Sequence, residues 1–254
     1  MWTTTARSRI LAAAAAILVS IGLGVGLLQH DPAGDPGRIY ETKPGQRAAI
    51  RLDDGTRVVL APASRLRVAG GYGAHRRAVS LDGEAFFTVV HDESAPFTVR
   101  AGDMLATDVG TSFDVAAYPA DAAVRVAVAD GRVSLAAGAR AAVPLGRGDI
   151  AAIGEAGVTT VTHRTDVDAL TGWTAGRLDF HDVALRDAAR GIARWYDIDL
   201  VVGDDALARV PLTASFRDEP VDEVLHIVAV TVGARVERHG QTYVLVASHS
   251  HGGA

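Results

Sequence analysis

The chain has 254 residues, 48% of them apolar, a formal net charge of −5 and no cysteine. That length supports one large or two smaller domains with real cores, and the lack of cysteine excludes disulfides, thiolate catalysis and thiolate metal sites. Lys43 is the one lysine among 25 basic residues, and with no long basic run the sequence cannot neutralise a row of phosphates, which argues against nucleic-acid binding.

The first predicted element is residues 10–28, bounded by Ile10 and Leu28. The run is uncharged and ten of its 19 residues are Ile, Leu or Val. At about 1.5 Å per residue a helix of that length spans roughly 28 Å, close to the ~30 Å hydrocarbon core of a bilayer. Arg7 and Arg9 precede it and Asp31 and Asp35 follow it. The positive-inside rule therefore places the tail, residues 1–9, in the cytoplasm and the body of the chain across the membrane. A secretory signal peptide is the rival reading. The run is longer than such a peptide's apolar core, and no small-x-small cleavage site precedes Asp31, so an uncleaved anchor is expected. Gly22 and Gly26 offer a G-x-x-x-G face for a second helix.

Residues 29–38 carry Pro32, Gly34, Pro36 and Gly37, the composition of a linker. From 39 to 163 short apolar and β-branched runs alternate with turn signals and no helical period is present, so an all-β domain is predicted, a sandwich or a solenoid. Asp54-Gly55 separates residues 48–52 from 57–60, and Asp130-Gly131 separates 124–128 from 132–135. An Asp-Gly pair supplies the positive φ angles of a tight turn, so each is predicted to close a hairpin. Val124, Val126 and Val128 alternate with Arg125, Ala127 and Ala129, as when one face is buried and the other wetter.

A second module is predicted over residues 168–247. Leu178-Asp179-Phe180 reads as a strand and Asp182 as a helix N-cap. Leu185, Ala189, Ile192 and Tyr196 then share one helical face before a strand over 198–202. The pattern repeats: a strand over 212–216, Pro220 at the first helical position, and Val221, Val224, Leu225, Val228 and Val232 on one face. Gly233 ends that helix, and two strands, 234–238 and 242–246, close the module. Two β-α-β halves, each with one amphipathic helix against a small sheet, make a compact α+β module. Residues 248–254 read as a flexible tail.

Motifs with a catalytic mechanism do not emerge. Zinc-helix, nucleophile-elbow and phosphate-loop signatures are missing, and the nine histidines are scattered without metal-ligand spacing. Asp92, Glu93, Asp103, Asp108 and Asp114 have the spacing of turns and wet strand faces rather than of a catalytic carboxylate pair. His226 lies off the apolar stripe of its helix and reads as a surface or partner-facing residue. No catalytic residue, cofactor or metal is expected, and function is expected on surfaces, where a small sheet can offer an edge strand to a partner.

Three stretches taken together resemble the FecR family: Asp82 to Val89 (D-G-E-A-F-F-T-V), Pro96 to Val99 (P-F-T-V) and Gly110 to Val115 (G-T-S-F-D-V). The resemblance extends to Asp54-Gly55-Thr56 and Asp130-Gly131-Arg132-Val133. It continues through Gly172 to Phe180 (G-W-T-A-G-R-L-D-F), Leu185 and residues 212–225 into a C-terminal module that also looks like the short signalling domain of secretins and TonB-dependent transducers. It implies a fold that is mainly β with one N-terminal transmembrane helix. It also implies a single-pass protein of the inner membrane, N-terminus cytoplasmic and body periplasmic.

The implied role is cell-surface signalling without catalysis. An outer-membrane TonB-dependent receptor, sensing a ferric siderophore or similar ligand, would touch this chain through its periplasmic signalling domain, and an extracytoplasmic-function sigma factor would be released or activated, directly or through a separate anti-sigma protein. The motif residues Gly83, Phe86, Phe87, Pro96, Phe97, Gly110, Thr111, Phe113, Trp173, Gly176, Leu178 and Phe180 look architectural, glycines for turns and aromatics for the core. A contact surface is expected on residues 178–246. Members of the family usually carry a helical anti-sigma region before the span, whereas nine residues precede Ile10 here. Three readings stay open: the true start lies upstream, the anti-sigma part is a separate protein that pairs within the membrane, or the chain is a sensor that acts some other way. The alternative is an envelope scaffold or carbohydrate-binding module with no transcriptional role.

Overall fold

The computed structural model describes residues 37–73, 76–154, 157–163 and 171–248. The expected membrane run, residues 10–28, lies outside the described residues. Among those residues no helix is long and apolar enough to cross a membrane.

Thirteen strands build the N-terminal domain: β1 (Arg38–Glu41), β2 (Ala48–Arg51), β3 (Arg57–Leu60), β4 (Arg65–Val68), β5 (Arg77–Thr88), β6 (Phe97–Ala101), β7 (Met104–Asp108), β8 (Ser112–Ala117), β9 (Ala123–Asp130), β10 (Arg132–Ala137), β11 (Val143–Gly146), β12 (Ile150–Gly154) and β13 (Thr159–Thr162). They form one continuous sheet curled into a half-barrel, neither two separate sheets nor a solenoid. The reason is β5, which is 12 residues long and serves both halves. Its first part pairs with β4 and, in parallel, with β6, while its second part pairs with β3 and β8. The strands β1, β4, β6, β7, β10 and β11 extend one half, and β2, β3, β8, β9, β12 and β13 the other.

Both halves face one core. The rings of Phe87, Phe97 and Phe113 are fully buried. Phe87 lies 5.6 Å from Phe97 and 5.3 Å from Phe113 between ring centroids, so the two halves of the sheet close on an aromatic cluster. Gly83 stands where β5 passes from one half to the other. Its φ is +111°, and a side chain there would run into Ser64, whose Cα is 2.8 Å from an added Cβ.

The two expected hairpins have different outcomes. Around Asp54-Gly55, β2 and β3 pair antiparallel from Ala48↔Leu60 to Arg51↔Arg57. The loop has five residues rather than two, because the Asp54 carboxylate accepts the Thr56 N–H at 2.9 Å and the Leu52 N–H closes on the Thr56 carbonyl at 2.8 Å. At Asp130-Gly131 no hairpin forms. β9 lies between β8 and β12 and β10 between β7 and β11, so the pair carries the chain from one half of the sheet to the other. Gly131 is needed for close approach, since a Cβ there would lie 2.8 Å from the Thr111 hydroxyl.

The C-terminal module comprises β14 (Leu178–Ala184), α1 (Leu185–Tyr196), β15 (Asp199–Val202), β16 (Pro211–Phe216), α2 (Val221–Val232), β17 (Ala234–His239) and β18 (Thr242–Ala247). The expected order of strands and helices is present, but the halves do not form one sheet each. β14 pairs with β16, and β15 joins β18 and β17 in a second sheet. Each half thus gives its first strand to one sheet and its later strands to the other, which ties the halves together. Leu185, Ile192, Val224, Leu225 and Val228 point from the helices into a core shared with Phe180, Leu212, Phe216 and Leu245. Gly233 ends α2 in the left-handed conformation, φ +67°, and Pro220 stands just before its first residue. Asp182 does not cap α1. Strand pairing continues to Ala184 across a bulge, where Asp182 has φ +53° and donates its N–H to the Thr213 hydroxyl at 3.0 Å.

Candidate functional site at the junction of the two modules

The outer face of β5 and β8 is covered by the C-terminal module. β8 shows this in its burial, for every residue from Phe113 to Ala117 is buried, on both faces of the strand. Glu84 and Phe86 on β5 and Asp114 and Ala116 on β8 share that outer face, in the register Glu84↔Ala116 and Phe86↔Asp114. Asp114 is 1% exposed. A 3₁₀ turn, Gly172–Ala175, lays Trp173 over it, and the indole Nε1–H donates to Asp114 Oδ1 at 3.1 Å. Glu84 lies beside Asp114, with the Arg125 guanidinium of β9 at 3.8 Å.

This setting decides the ionisation of the pair. Burial pushes the Asp114 carboxyl well above its ordinary range, and the neighbouring Glu84 charge pushes it the same way against Arg125 and the Trp173 bond. Burial also raises Glu84, opposed by Arg125 and Arg194. Both carboxyls are pushed toward the protonated form, Asp114 the more strongly because it is the more deeply buried. One of the Asp114 oxygens accepts from Trp173, and its acid O–H is available to Glu84.

A second set of contacts surrounds the first. Arg194 of α1 reaches both carboxylate oxygens of Asp121, each at 3.1 Å, and its guanidinium lies 3.8 Å above the Tyr118 ring. The Tyr118 hydroxyl donates to the Pro62 carbonyl at 2.8 Å. Arg47, from the loop before β2, donates to the Trp173 carbonyl at 2.7 Å and lies 5.0 Å over the Trp195 ring. The Gly45 N–H donates to the Arg194 carbonyl at 2.8 Å. Between these groups is a cavity of about 410 Å³ whose wall includes Glu84, Arg125, Trp173, Phe180 and Trp195. Bidentate Arg–carboxylate bonds and stacked guanidinium groups hold a fixed orientation well, so the junction behaves as a keyed joint.

The residues singled out by motif fall in several places. Phe87, Phe97 and Phe113 are core, and Thr111 is buried between Asp108 and Arg132. Gly83 and Gly110 are close-approach positions, a Cβ on Gly110 lying 2.7 Å from the His91 Cα. Phe86 is half-buried on the outer face and Pro96 is exposed, so neither is a core residue. Gly176 ends the 3₁₀ turn with φ +89°, Leu178 lines the cavity, and Phe180 packs 6.4 Å from Phe216. Trp173 alone among the motif residues makes a side-chain hydrogen bond across the junction.

The acidic residues divide as well. Asp92 caps its own turn on Ser94 at 2.9 Å, and Glu93 and Asp103 are exposed. Asp108 and Asp114 are not on wet faces: Asp108 is 2% exposed and accepts the Gly110 N–H at 3.0 Å. Among the described residues no three His, Asp or Glu gather in a way that would hold a metal ion. Glu84, Tyr118, Asp121, Arg125 and Arg194 were not singled out by sequence. Their local sequence carries no signal for them: in Phe113-Asp114-Val115-Ala116-Ala117 the outer positions, Asp114 and Ala116, have the spacing of an ordinary wet face.

The chain thus keys a curled β-domain to a small α+β module through a buried polar joint. Two family profiles match it: "FecR protein" over residues 38–134 and "FecR, C-terminal" over residues 177–245. The chain belongs to the FecR family. Two crystal structures of a candidate anti-sigma factor from Parabacteroides distasonis, at 1.65 and 2.50 Å resolution, share its fold, with TM-scores of 0.78 and 0.77. Each is 24% identical and is aligned over 83% of this chain and 99% of its own. No curated protein matches the sequence.

Proposed function

We propose that the chain is a transmembrane relay that regulates an extracytoplasmic-function sigma factor in response to an outer-membrane TonB-dependent receptor. The observation that carries this reading is the presence of both FecR-family modules in one chain, in order and docked on each other. The fold shared with a candidate anti-sigma factor supports it. In this reading residues 10–28 are the anchor in the inner membrane, residues 1–9 are cytoplasmic, and the described body lies in the periplasm. The receptor's signalling domain docks on the C-terminal module, and the keyed junction passes the event to the β-domain. A ferric siderophore or similar compound is the ligand sensed by the receptor. The work is recognition, with no catalytic step.

The test is a titration of the purified full chain with the periplasmic signalling domain of a receptor encoded beside it, read by calorimetry. Saturable one-to-one binding is expected. No heat, under conditions where a known receptor–regulator pair binds, would count against the proposal.

A further inference from the structure

We propose that Glu84, Asp114 and Trp173 form a proton-operated latch that holds the C-terminal module against the β-domain when Asp114 is protonated and loosens the junction when that proton is lost. The geometry makes the pair a single unit. Glu84 and Asp114 are neighbours on one face of adjacent strands, Asp114 is buried, and the donor that covers Asp114 belongs to the turn that begins the C-terminal module.

With the proton present, Asp114 bridges the two strands and the turn, accepting from the Trp173 indole and donating to Glu84. With the proton absent, two carboxylates share a site whose nearest cation is Arg125, 3.8 Å from Glu84, with Arg194 acting on Glu84 as well. Of the other charged or titratable groups around the site, His181 of β14 lines the cavity from an exposed position, and the arginines of the C-terminal module are already engaged. Arg194 is held by Asp121, Arg190 by Asp121 and Asp187, and Arg177 by Asp179. The Tyr118 hydroxyl, pushed far above its usual range by burial and by Glu84, stays neutral and donates to Pro62. A doubly ionised pair must therefore be hydrated. Glu84 already borders the cavity, but Asp114 is sealed beneath Trp173, so water reaches its carboxylate only if the Trp173 turn draws back.

The direction in pH follows. Asp114 and Glu84 are both raised in the folded state, so the stability they add is complete below their unfolded range and is lost as pH climbs through their folded values. Acidification tightens the joint and alkalinisation loosens it. The latch concerns the chain itself and stands independently of which receptor or sigma factor it serves.

The experiment is hydrogen–deuterium exchange of the full chain in detergent micelles, from about pH 5 to about pH 8 and corrected for intrinsic exchange. Protection of the 3₁₀ turn and of α1 is expected to fall several-fold with rising pH in the native protein. It is expected to stay constant in Asp114→Asn, whose amide keeps both hydrogen bonds without a charge to lose. If that variant does not fold, Glu84→Gln removes the like charge and should flatten the profile in the same way. Protection independent of pH in the native chain, or an unchanged slope in the folded variant, would overturn the latch.

Discussion

Asp54 and Asp114 are both aspartates of the β-domain, and their surroundings move them in opposite directions. Burial alone would raise Asp54, but hydrogen bonds from the Thr56 N–H and hydroxyl and from Arg77 outweigh it and hold the carboxyl below its usual range. Arg77 and Asp54 form an ion pair at 2.8 Å with side chains 3% and 12% exposed, and the Arg77 guanidinium also donates to the Val90 carbonyl at 2.6 Å. Asp54→Ala leaves that guanidinium buried without its counter-charge and should cost about 3–5 kcal/mol, measured by urea unfolding. The pH signs differ too. The lowered Asp54 stabilises the fold above its unfolded range, and that contribution is lost as pH falls through its folded value. The raised Asp114 is lost in the other direction, as pH rises. Asp54→Ala should therefore weaken the loss of stability toward acid in thermal scans and leave the alkaline side unchanged. At this scale the sequence announced the aromatic core, because Phe87, Phe97 and Phe113 sit in alternating strands. It did not announce the buried acids, because a carboxylate on a wet face and one under another module have the same local spacing.

At the scale of elements, β5 is the strand on which the β-domain depends. Its two pairings require the backbone of Gly83 to pass against Ser64, so Gly83→Ala should destabilise by more than about 2 kcal/mol through both positive φ and steric contact. Gly102, with φ +55° and open space around it, is the control. Gly102→Ala should cost only about 1–2 kcal/mol from its left-handed conformation. The measurement is the unfolding free energy of each variant, and equal losses would contradict the assignment. The alternation of β-branched residues and the stripes of α1 and α2 were readable in the sequence because periodicity is local. Two features were not readable. Asp130-Gly131 has hairpin chemistry, yet it crosses between halves of the sheet because its partner strands lie far away in sequence. Asp182 has cap chemistry, yet pairing with β16 claims it first.

For the whole molecule, the junction holds the two modules in one orientation. Arg194 contacts Asp121 and Tyr118 in one geometry, and its partly exposed position limits what the ion pair alone contributes. Arg194→Ala should cost about 1–3 kcal/mol in urea unfolding. It should also raise exchange in α1 more than in the β-domain core. Loss confined to the β-domain would contradict the keyed joint. The succession of a β-rich region and an α+β module was legible from texture and turn signals. Their docking was not, since it depends on side chains about 60 to 130 residues apart, such as Trp173 with Asp114 and Arg47 with the Trp173 carbonyl.

The central proposal is that the chain regulates a sigma factor from outside the cytoplasm. Its most direct measurement is transcription from the promoters of the neighbouring extracytoplasmic-function sigma factor, with and without the receptor's ligand, in cells carrying or lacking this chain. The account predicts that ligand-dependent transcription is lost or becomes constitutive on deletion and returns with the intact chain, but not with one truncated after residue 163. Ligand-responsive transcription that is unchanged by deletion would contradict it.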